Sequence, residues 1–309
     1  MMNIVYHLGL HCTDEHRLET CLRQNAPALA AQGIVIPDPK VCGPILRNVV
    51  NAMQGAPSSP QTEETILDAV MIQDEAARLV FSNEAFLCVR AHVLGRGRLY
   101  PNAGGKVSAL ANLLPSCAAE MAFAIRNPAT FLPALYQSGR WESFEAFLSG
   151  ADPLALSWAE MVGRIRAERP DVPLTVWCDE DTPLIWPEVL RAVAGAAPGT
   201  ALAGEGARLA GLMSPEGAAR LADYLAARPA MPPAQRHRAV AAFLDKYALE
   251  GALEMELDLP GWTGALIEDL SRRYDADVEE IAAMEGVRLI TPWPLAPAAR
   301  PQPMPSAAL

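Results

Sequence analysis

The chain has 309 residues, enough to bury a large hydrophobic core in one big domain or two small ones. Hydrophobic residues make up 51% of it and the mean hydropathy is +0.11, which excludes an intrinsically disordered chain. The formal net charge of -11 leaves no basic surplus for binding nucleic acid or an anionic membrane surface.

The chain opens with a pattern typical of a strand followed by a helix. Residues 3–8 form a short run rich in β-branched and aromatic side chains, and a polar turn follows at once, which predicts a strand running into a loop. From residue 14 to about residue 32, apolar positions recur at helical spacing and end at Gly33, a common helix C-cap residue. We therefore expect a strand, a tight loop and a helix in that order.

Strands and helices continue to alternate along the chain. Apolar runs predict strands at residues 34–36, 79–82, 118–125 and 172–178, with helices at residues 63–78, after Pro128 and at residues 187–194. Such alternation favours a parallel sheet with helices on both faces. The predicted fold class is thus α/β, a three-layer sandwich with a central, mostly parallel sheet.

The C-terminal third has a different pattern. Beyond Gly211 the periodicity is helical, with Ser214 as an N-cap, before a closing strand at residues 287–291. We expect one α/β domain over residues 1–291, containing a helical subregion at about residues 205–285. Residues 292–309 are rich in Pro and Ala without periodicity, and we expect a disordered tail there.

Targeting signals and metal-binding patterns are not evident in the sequence. No positively charged leader opens the chain, and no apolar run reaches the roughly 18 residues of a spanning helix, so we expect a cytoplasmic protein without membrane insertion. The cysteines occur singly and are expected to be reduced thiols, mostly in the core. They are Cys12, Cys21, Cys42, Cys88, Cys117 and Cys178.

The loop after the first strand lies where a helix N-terminus would present N–H groups to an anion. Its sequence, HLGLHCTDEH over residues 7–16, resembles the opening of bacterial sulfotransferases. In that family a lysine- and threonine-containing loop cradles the 5′-phosphosulfate of the donor PAPS. Gly9, His11 and Thr13 match the family pattern, and the resemblance implies that they would bind this cofactor.

The loop departs from the family pattern in its chemistry. Cys12 replaces the lysine, Asp14 replaces a glycine, and Glu15 and His16 replace the two hydroxyl residues. The lysine would contribute a charge-assisted hydrogen bond of ~1.5–3 kcal/mol. A carboxylate about 5 Å from a phosphate charge costs roughly 3 kcal/mol at an effective dielectric of about 20. A purely structural interpretation also fits, in which Thr13 or Asp14 caps the helix and Glu15 favours its first turn.

Two further segments carry the resemblance. The Ser-Asn-Glu sequence ending at Glu84 resembles one at a strand end in bacterial relatives, where a carboxylate could act as a base toward an acceptor hydroxyl. Glu84 is therefore one catalytic candidate and His11 a second, with a capping or surface role as the alternative for Glu84. Arg126 matches an arginine that holds the nucleotide 3′-phosphate, but Ala134 stands where its serine partner would be. Alternatively, Arg126 forms an ordinary surface ion pair.

The sequence contains further polar segments that are candidate sites. Residues 177–186 place three acids between two tryptophans at a strand end. These acids could bind a ligand, or they could simply form a turn and the start of a helix. His7, His11, Cys12 and His16 do not share one face, so no metal ligands are predicted. Two Gly-rich basic segments, at residues 95–98 and 104–106, lack the strand-before, helix-after setting of a phosphate loop and could form a lid or an interface.

The sequence leaves two functional hypotheses. The resemblance spans about residues 3–291 and includes the closing helix and strand near residues 262–290. Under the first hypothesis, the chain is a sulfotransferase-like protein with a degenerate loop that uses no PAPS and binds a protein or small-molecule partner. Under the second, it is a divergent sulfotransferase that moves a sulfo group from PAPS to a hydroxyl acceptor.

Overall fold

The computed structural model describes residues 2–73, 75–209, 211–253 and 259–294. Its strands are β1 (Asn3–His7), β2 (Ile34–Val35), β3 (Arg78–Ser82), β4 (Leu94–Gly95), β5 (Arg98–Leu99), β6 (Ala118–Ile125), β7 (Leu174–Cys178) and β8 (Val287–Ile290). Its helices are α1 (Arg17–Gln24), α2 (Ala26–Ala30), α3 (Pro39–Met53), α4 (Pro60–Val70), α5 (Ala103–Ala111), α6 (Pro128–Gln137), α7 (Phe144–Leu148), α8 (Trp158–Glu168), α9 (Thr182–Ala194), α10 (Pro215–Ala226), α11 (Pro233–Tyr247) and α12 (Gly264–Ala283).

Six of these strands form one parallel sheet, in the order β2-β3-β1-β6-β7-β8. Strand β1 lies inside the sheet, and its Val5 is in register with Val80 of β3 and Glu120 of β6. Strands β4 and β5 form a separate antiparallel hairpin. Because parallel strands end at the same edge, the loops after β1, β3, β6 and β7 meet there.

Two hydrophobic clusters cover the two faces of the sheet. Along β1, Tyr6 belongs to the cluster that includes α3, α4, α5, α6, α8 and α12, whereas Val5 belongs to the one that includes α1, α2 and α9. This alternation follows from the two-residue period of a strand. The α/β three-layer architecture with a central parallel sheet is confirmed.

The long helix expected from residue 14 is interrupted. Helix α1 ends at Asn25, whose side-chain amide donates to the carbonyls of Cys21 at 2.7 Å and Ala203 at 2.9 Å. The Asn25 amide oxygen accepts the Ala203 N–H at 2.7 Å. Pro27 then lies at the start of α2, where its missing N–H costs little. The prediction of one continuous helix was wrong because Asn25 is bonded to a distant segment.

Several helix predictions were displaced or missing. Helix α4 begins at Pro60, with the Ser59 hydroxyl accepting the Thr62 N–H, and β3 begins where that helix was expected to end. Helix α9 starts five residues earlier than expected. Helix α3 was not predicted, since its interior carries Pro44. The Gly-rich segment at residues 104–106 is the first part of α5, not a loop.

The helical C-terminal region contributes to two places. Helices α10 and α11 enclose a small separate cluster that includes Leu221 and Val240, whereas α12 packs on the main core. Residues 295–309 of the expected tail lie outside the described residues. At its start, the carbonyl of Pro292 accepts a 2.9 Å hydrogen bond from the buried ring of His237.

The six cysteines are free, and three of them, Cys21, Cys42 and Cys178, are buried, fewer than the majority expected in the core. Across the described ranges, none of the helices has both the length and the apolar character needed to cross a membrane.

Candidate functional site

A cavity of about 540 Å³ opens at the carboxyl edge of the sheet. Its walls come from the loop after β1, the residues after β3, Arg126 after β6, and the last turn of α6. Open parallel sheets place their ligand sites at this edge. The cavity therefore lies where the sequence resemblance implies a cofactor site.

The loop after β1 has an unusual backbone. Gly9 has φ 50°, and a Cβ added there would lie 3.2 Å from the Cα of Glu84, so the backbones of the two strand ends approach closely. Cys12, Glu15 and His16 also have positive φ, at 58°, 50° and 63°. Such strain persists only where surrounding contacts impose it, and it often marks functional loops.

Asp14 occupies the N-terminus of α1 from within. Its buried carboxylate accepts hydrogen bonds from the N–H groups of His16 at 3.3 Å and Leu18 at 3.1 Å. A bound anion would otherwise accept hydrogen bonds from these N–H groups. Asp14 thus caps the start of α1 with its side chain, but the N-cap position itself is occupied by His16 and not by Asp14 or Thr13. Thr13, the other candidate cap, instead donates its hydroxyl to the Leu10 carbonyl at 2.5 Å.

Glu15 lies just before the helix. Its carboxylate is 69% exposed and pairs with Arg17 at 3.0 Å. A pair this exposed contributes little to stability. It keeps a second negative charge at the rim of the cavity.

Arg126 braces the loop from the β6 side. Its guanidinium donates to the Cys12 carbonyl at 2.6 Å and to the Thr130 hydroxyl at 3.1 Å. The indole N–H of Trp158 donates to the Arg126 carbonyl at 2.7 Å, fixing the backbone there. Arg126 thus lines the cavity while it is bonded to the loop that the resemblance assigns to phosphate.

The two catalytic candidates lie in different environments. Glu84 lines the cavity, with its carboxylate 3.9 Å from Arg90 and 4.0 Å from the imidazole of His16. His11 is buried beneath the loop, where its Nδ1 lies 3.1 Å from the hydroxyl of Tyr100 and the two rings stack. Burial lowers the pKa of His11, which favours a neutral ring.

The structure therefore brings together only part of the predicted site. Gly9, Glu84 and Arg126 all line the cavity. His11 and Thr13 are buried and do not line it. They hold the loop in shape through the Tyr100 and Leu10 contacts.

The cavity also contains residues that sequence reasoning missed. Arg90 donates to the Ser138 carbonyl at 2.9 Å, and the Ser138 hydroxyl lies 3.6 Å from the Cys12 thiol. Ser138 is one helical turn beyond Ala134, so a hydroxyl is present near the position where the family pattern has its serine. A check of the next helical turn could have found Ser138. Arg90 begins a single turn of 3-10 helix (Arg90–His92), and no sequence pattern pointed to it.

His7 and Ser82 form the floor of the cavity at the ends of β1 and β3. The His7 Nδ1 lies 2.8 Å from the Ser82 hydroxyl, and its ring stacks on Trp177 at 6.0 Å. Burial lowers the pKa of His7. His7 and His11 thus have separate partners, Ser82 and Tyr100.

The acids after β7 are engaged within the protein. Asp179 pairs with Arg208 at 3.1 Å. Glu180 accepts hydrogen bonds from the Asn127 N–H at 2.7 Å and from the Tyr274 hydroxyl at 3.0 Å. Burial raises the pKa of Asp179 to about 7 and that of Asp181 to about 6. None of the three acids lines the cavity.

The comparisons with known proteins give one remote likeness. A scan against protein-family models matches none of them, and a search of curated proteins finds no significant match. Among solved structures, the crystal structure of a sulfotransferase from Alicyclobacillus acidocaldarius is similar with a TM-score of 0.37 and 14% identity. That match covers 77% of this chain and 97% of the other. The function of the cavity is therefore inferred from its own residues.

Proposed function

We propose that the chain is a sulfotransferase-like protein that does not use PAPS and acts as a binding or regulatory protein through this cavity. The observation that carries the proposal is the Asp14 carboxylate on the N–H groups of His16 and Leu18. A 5′-phosphosulfate would have to displace that carboxylate to reach the helix N-terminus.

The charges around the cavity support the same conclusion. Three carboxylates, those of Asp14, Glu15 and Glu84, line it together with the guanidinium groups of Arg90 and Arg126. Each carboxylate about 5 Å from a phosphate group would cost roughly 3 kcal/mol at an effective dielectric of about 20. The lining is therefore of mixed charge and poorly matched to a nucleotide with several negative groups.

Cys12 cannot replace the missing lysine. Burial raises the pKa of its thiol, so the side chain is neutral near pH 7 and offers only a weak hydrogen bond. A lysine at this position would contribute a charge-assisted bond of ~1.5–3 kcal/mol. The loop thus has one cation fewer and one buried carboxylate more than the family pattern.

A divergent, active sulfotransferase is the second candidate. The observation in its favour is that Glu84, a possible base, lines the same cavity as Arg126, whose guanidinium contacts the loop. In that case PAPS would bind through Arg126, Arg90 and backbone N–H groups, and Glu84 would accept the proton of the acceptor hydroxyl.

Thermal melts with the desulfated donor, 3′-phosphoadenosine 5′-phosphate, separate the two candidates. At a concentration a hundredfold above its dissociation constant, a ligand stabilises a fold by about 2.7 kcal/mol. We expect no upward shift in Tm at millimolar nucleotide, with adenosine monophosphate as the matched control. A clear shift with the bisphosphate alone would favour the active sulfotransferase.

A further inference from the structure

A second cavity, of about 700 Å³, lies between α3, the segment after β3 and the start of α5. Its basic lining residues are Arg47, His92, Arg96 and Lys106. None of the described residues that line it is Asp or Glu. This is unexpected in a chain with 36 acidic and 25 Lys or Arg residues. We call this cavity the basic cleft.

Three cations of the basic cleft lack acidic partners. Within the described ranges, no carboxylate oxygen lies within 4.0 Å of a side-chain nitrogen of Arg47, Arg96 or Lys106. Lys106 is half-buried. Its positive charge lowers the pKa of the neighbouring Cys88 thiol, but burial has the larger effect and raises that pKa to about 12. Positive charges that converge on a concave surface raise the local concentration of anions.

The neighbouring Arg164, by contrast, has a guanidinium group that is fully engaged by protein partners. It donates to the backbone carbonyls of residues 99–101 at 2.6–3.0 Å and to Glu160 at 2.9 Å. These bonds fasten the exit of the β4–β5 hairpin to α8. Arg164 thus has a structural role, whereas the cations of the basic cleft face the cavity without such partners.

The hairpin gives the basic cleft a defined wall. Arg96 and Gly97 form its two-residue turn with φ 54° and 69°, the left-handed conformations that such turns require. Gly95 is held close to Pro101, since an added Cβ would lie 3.0 Å from the proline ring. Arg96 is therefore presented at the tip of a short, well-supported hairpin.

The floor of the basic cleft is apolar. Leu87 and Tyr100 are buried beneath it, and Val89 at its edge is 57% exposed. The Tyr100 hydroxyl receives the His11 N–H at 3.1 Å, so this contact lies between the basic cleft and the cavity at the strand ends. A pocket with an apolar floor and a few convergent charges is typical of a small-molecule site.

We propose that the basic cleft binds small organic anions, in which a carboxylate, phosphate or sulfate group is carried on an apolar body. The anionic group would pair with Lys106 and Arg47, with Arg96 closing the third side. The apolar body would cover Leu87 and Val89. The site is distinct from the cavity at the strand ends and does not depend on the function proposed for it.

Calorimetric titration of the full chain at low salt tests the proposal, with naphthyl phosphate, naphthyl sulfate and naphthoate as probes and naphthol as the neutral counterpart. We expect the anions to bind at least about tenfold more tightly than naphthol and to weaken as salt is added. The ranking of the three probes identifies the preferred head group. Equal binding of naphthol and the anions would overturn the proposal.

Variants locate the binding. Arg47→Gln with Lys106→Met should weaken the best anion at least about tenfold, and Arg96→Asn should weaken it while preserving the left-handed turn. Lys40→Met is the matched control, since Lys40 is exposed on α3 but does not line the basic cleft. Unchanged binding in the double variant, or an equal loss in the control, would show that the anion binds elsewhere.

Discussion

Asp14 places a carboxylate where a phosphate loop would hold its ligand. The buried side chain accepts the N–H groups of His16 and Leu18, so these two donors at the start of α1 are occupied without any bound anion. Gly9 also shapes the loop, because its backbone lies so close to that of Glu84 that a side chain at this position would be crowded. Single residues thus determine the shape and the charge of the loop.

Replacing Gly9 with alanine should destabilise the protein. The positive φ and the 3.2 Å contact with Glu84 both disfavour a Cβ, and we expect a loss of about 1–3 kcal/mol in the free energy of unfolding. Urea denaturation measures it. Gly163→Ala in α8 is the control, because no atom lies within 4 Å of its added Cβ, and it should gain about 0.5–1 kcal/mol. A neutral Gly9→Ala would mean that the loop is not constrained at this position.

At the scale of elements, the sequence is most informative where local pattern and tertiary role agree. The strand β6 was predicted with its observed bounds, because its residues are apolar throughout except for Glu120. Helix α1 was expected from residue 14 and begins at Arg17, after the Asp14 side chain that bonds to its first turn. Its end was not predicted, because Asn25 is bonded to Ala203, far away in the chain. Helix α3 was hidden because Pro44 obscures its helical periodicity.

The candidate site was predictable only in outline. Gly9, Glu84 and Arg126 follow three different strands, and the rule that parallel strands end at one edge brings them together. The same rule cannot tell which way a side chain turns. His11 points to Tyr100, which lies 89 residues away in the sequence, so its burial depends on a contact that no local pattern encodes.

At the scale of the whole molecule, acidic residues outnumber basic residues but are distributed unevenly. No carboxylate is found among the described residues that line the basic cleft, whereas three acids are concentrated after β7. There Asp179 connects to Arg208, and Glu180 connects to Asn127 and Tyr274. These contacts join the sheet to α6, to α12 and to the segment that precedes α10.

Buried Asp179 should make stability depend on pH. Burial raises its pKa from 3.8 to about 7 in the folded state, so between those values the folded chain binds more protons than the unfolded chain. The free energy of unfolding should therefore decrease as pH rises from about 4 to about 7. In denaturation experiments over this pH range, the free energy of unfolding should decrease less steeply for Asp179→Asn than for the wild-type chain.

Asp171→Asn is the control for that experiment. Asp171 is largely exposed, and its hydrogen bond to Arg169 lowers its pKa, so its contribution is lost only as pH falls below about 4. Its substitution should leave the slope above pH 4 unchanged. An identical slope for Asp179→Asn and the unchanged chain would show that Asp179 titrates as an ordinary surface acid.

The central claim is that the Asp14 carboxylate excludes phosphate from the loop, and calorimetric titration of 3′-phosphoadenosine 5′-phosphate into two variants tests it most directly. Cys12→Lys alone should not give micromolar binding, because Asp14 and Glu15 remain. Adding Asp14→Gly should free the N–H groups of His16 and Leu18 and tighten binding at least about tenfold. Micromolar binding by the Cys12→Lys chain alone would contradict the account.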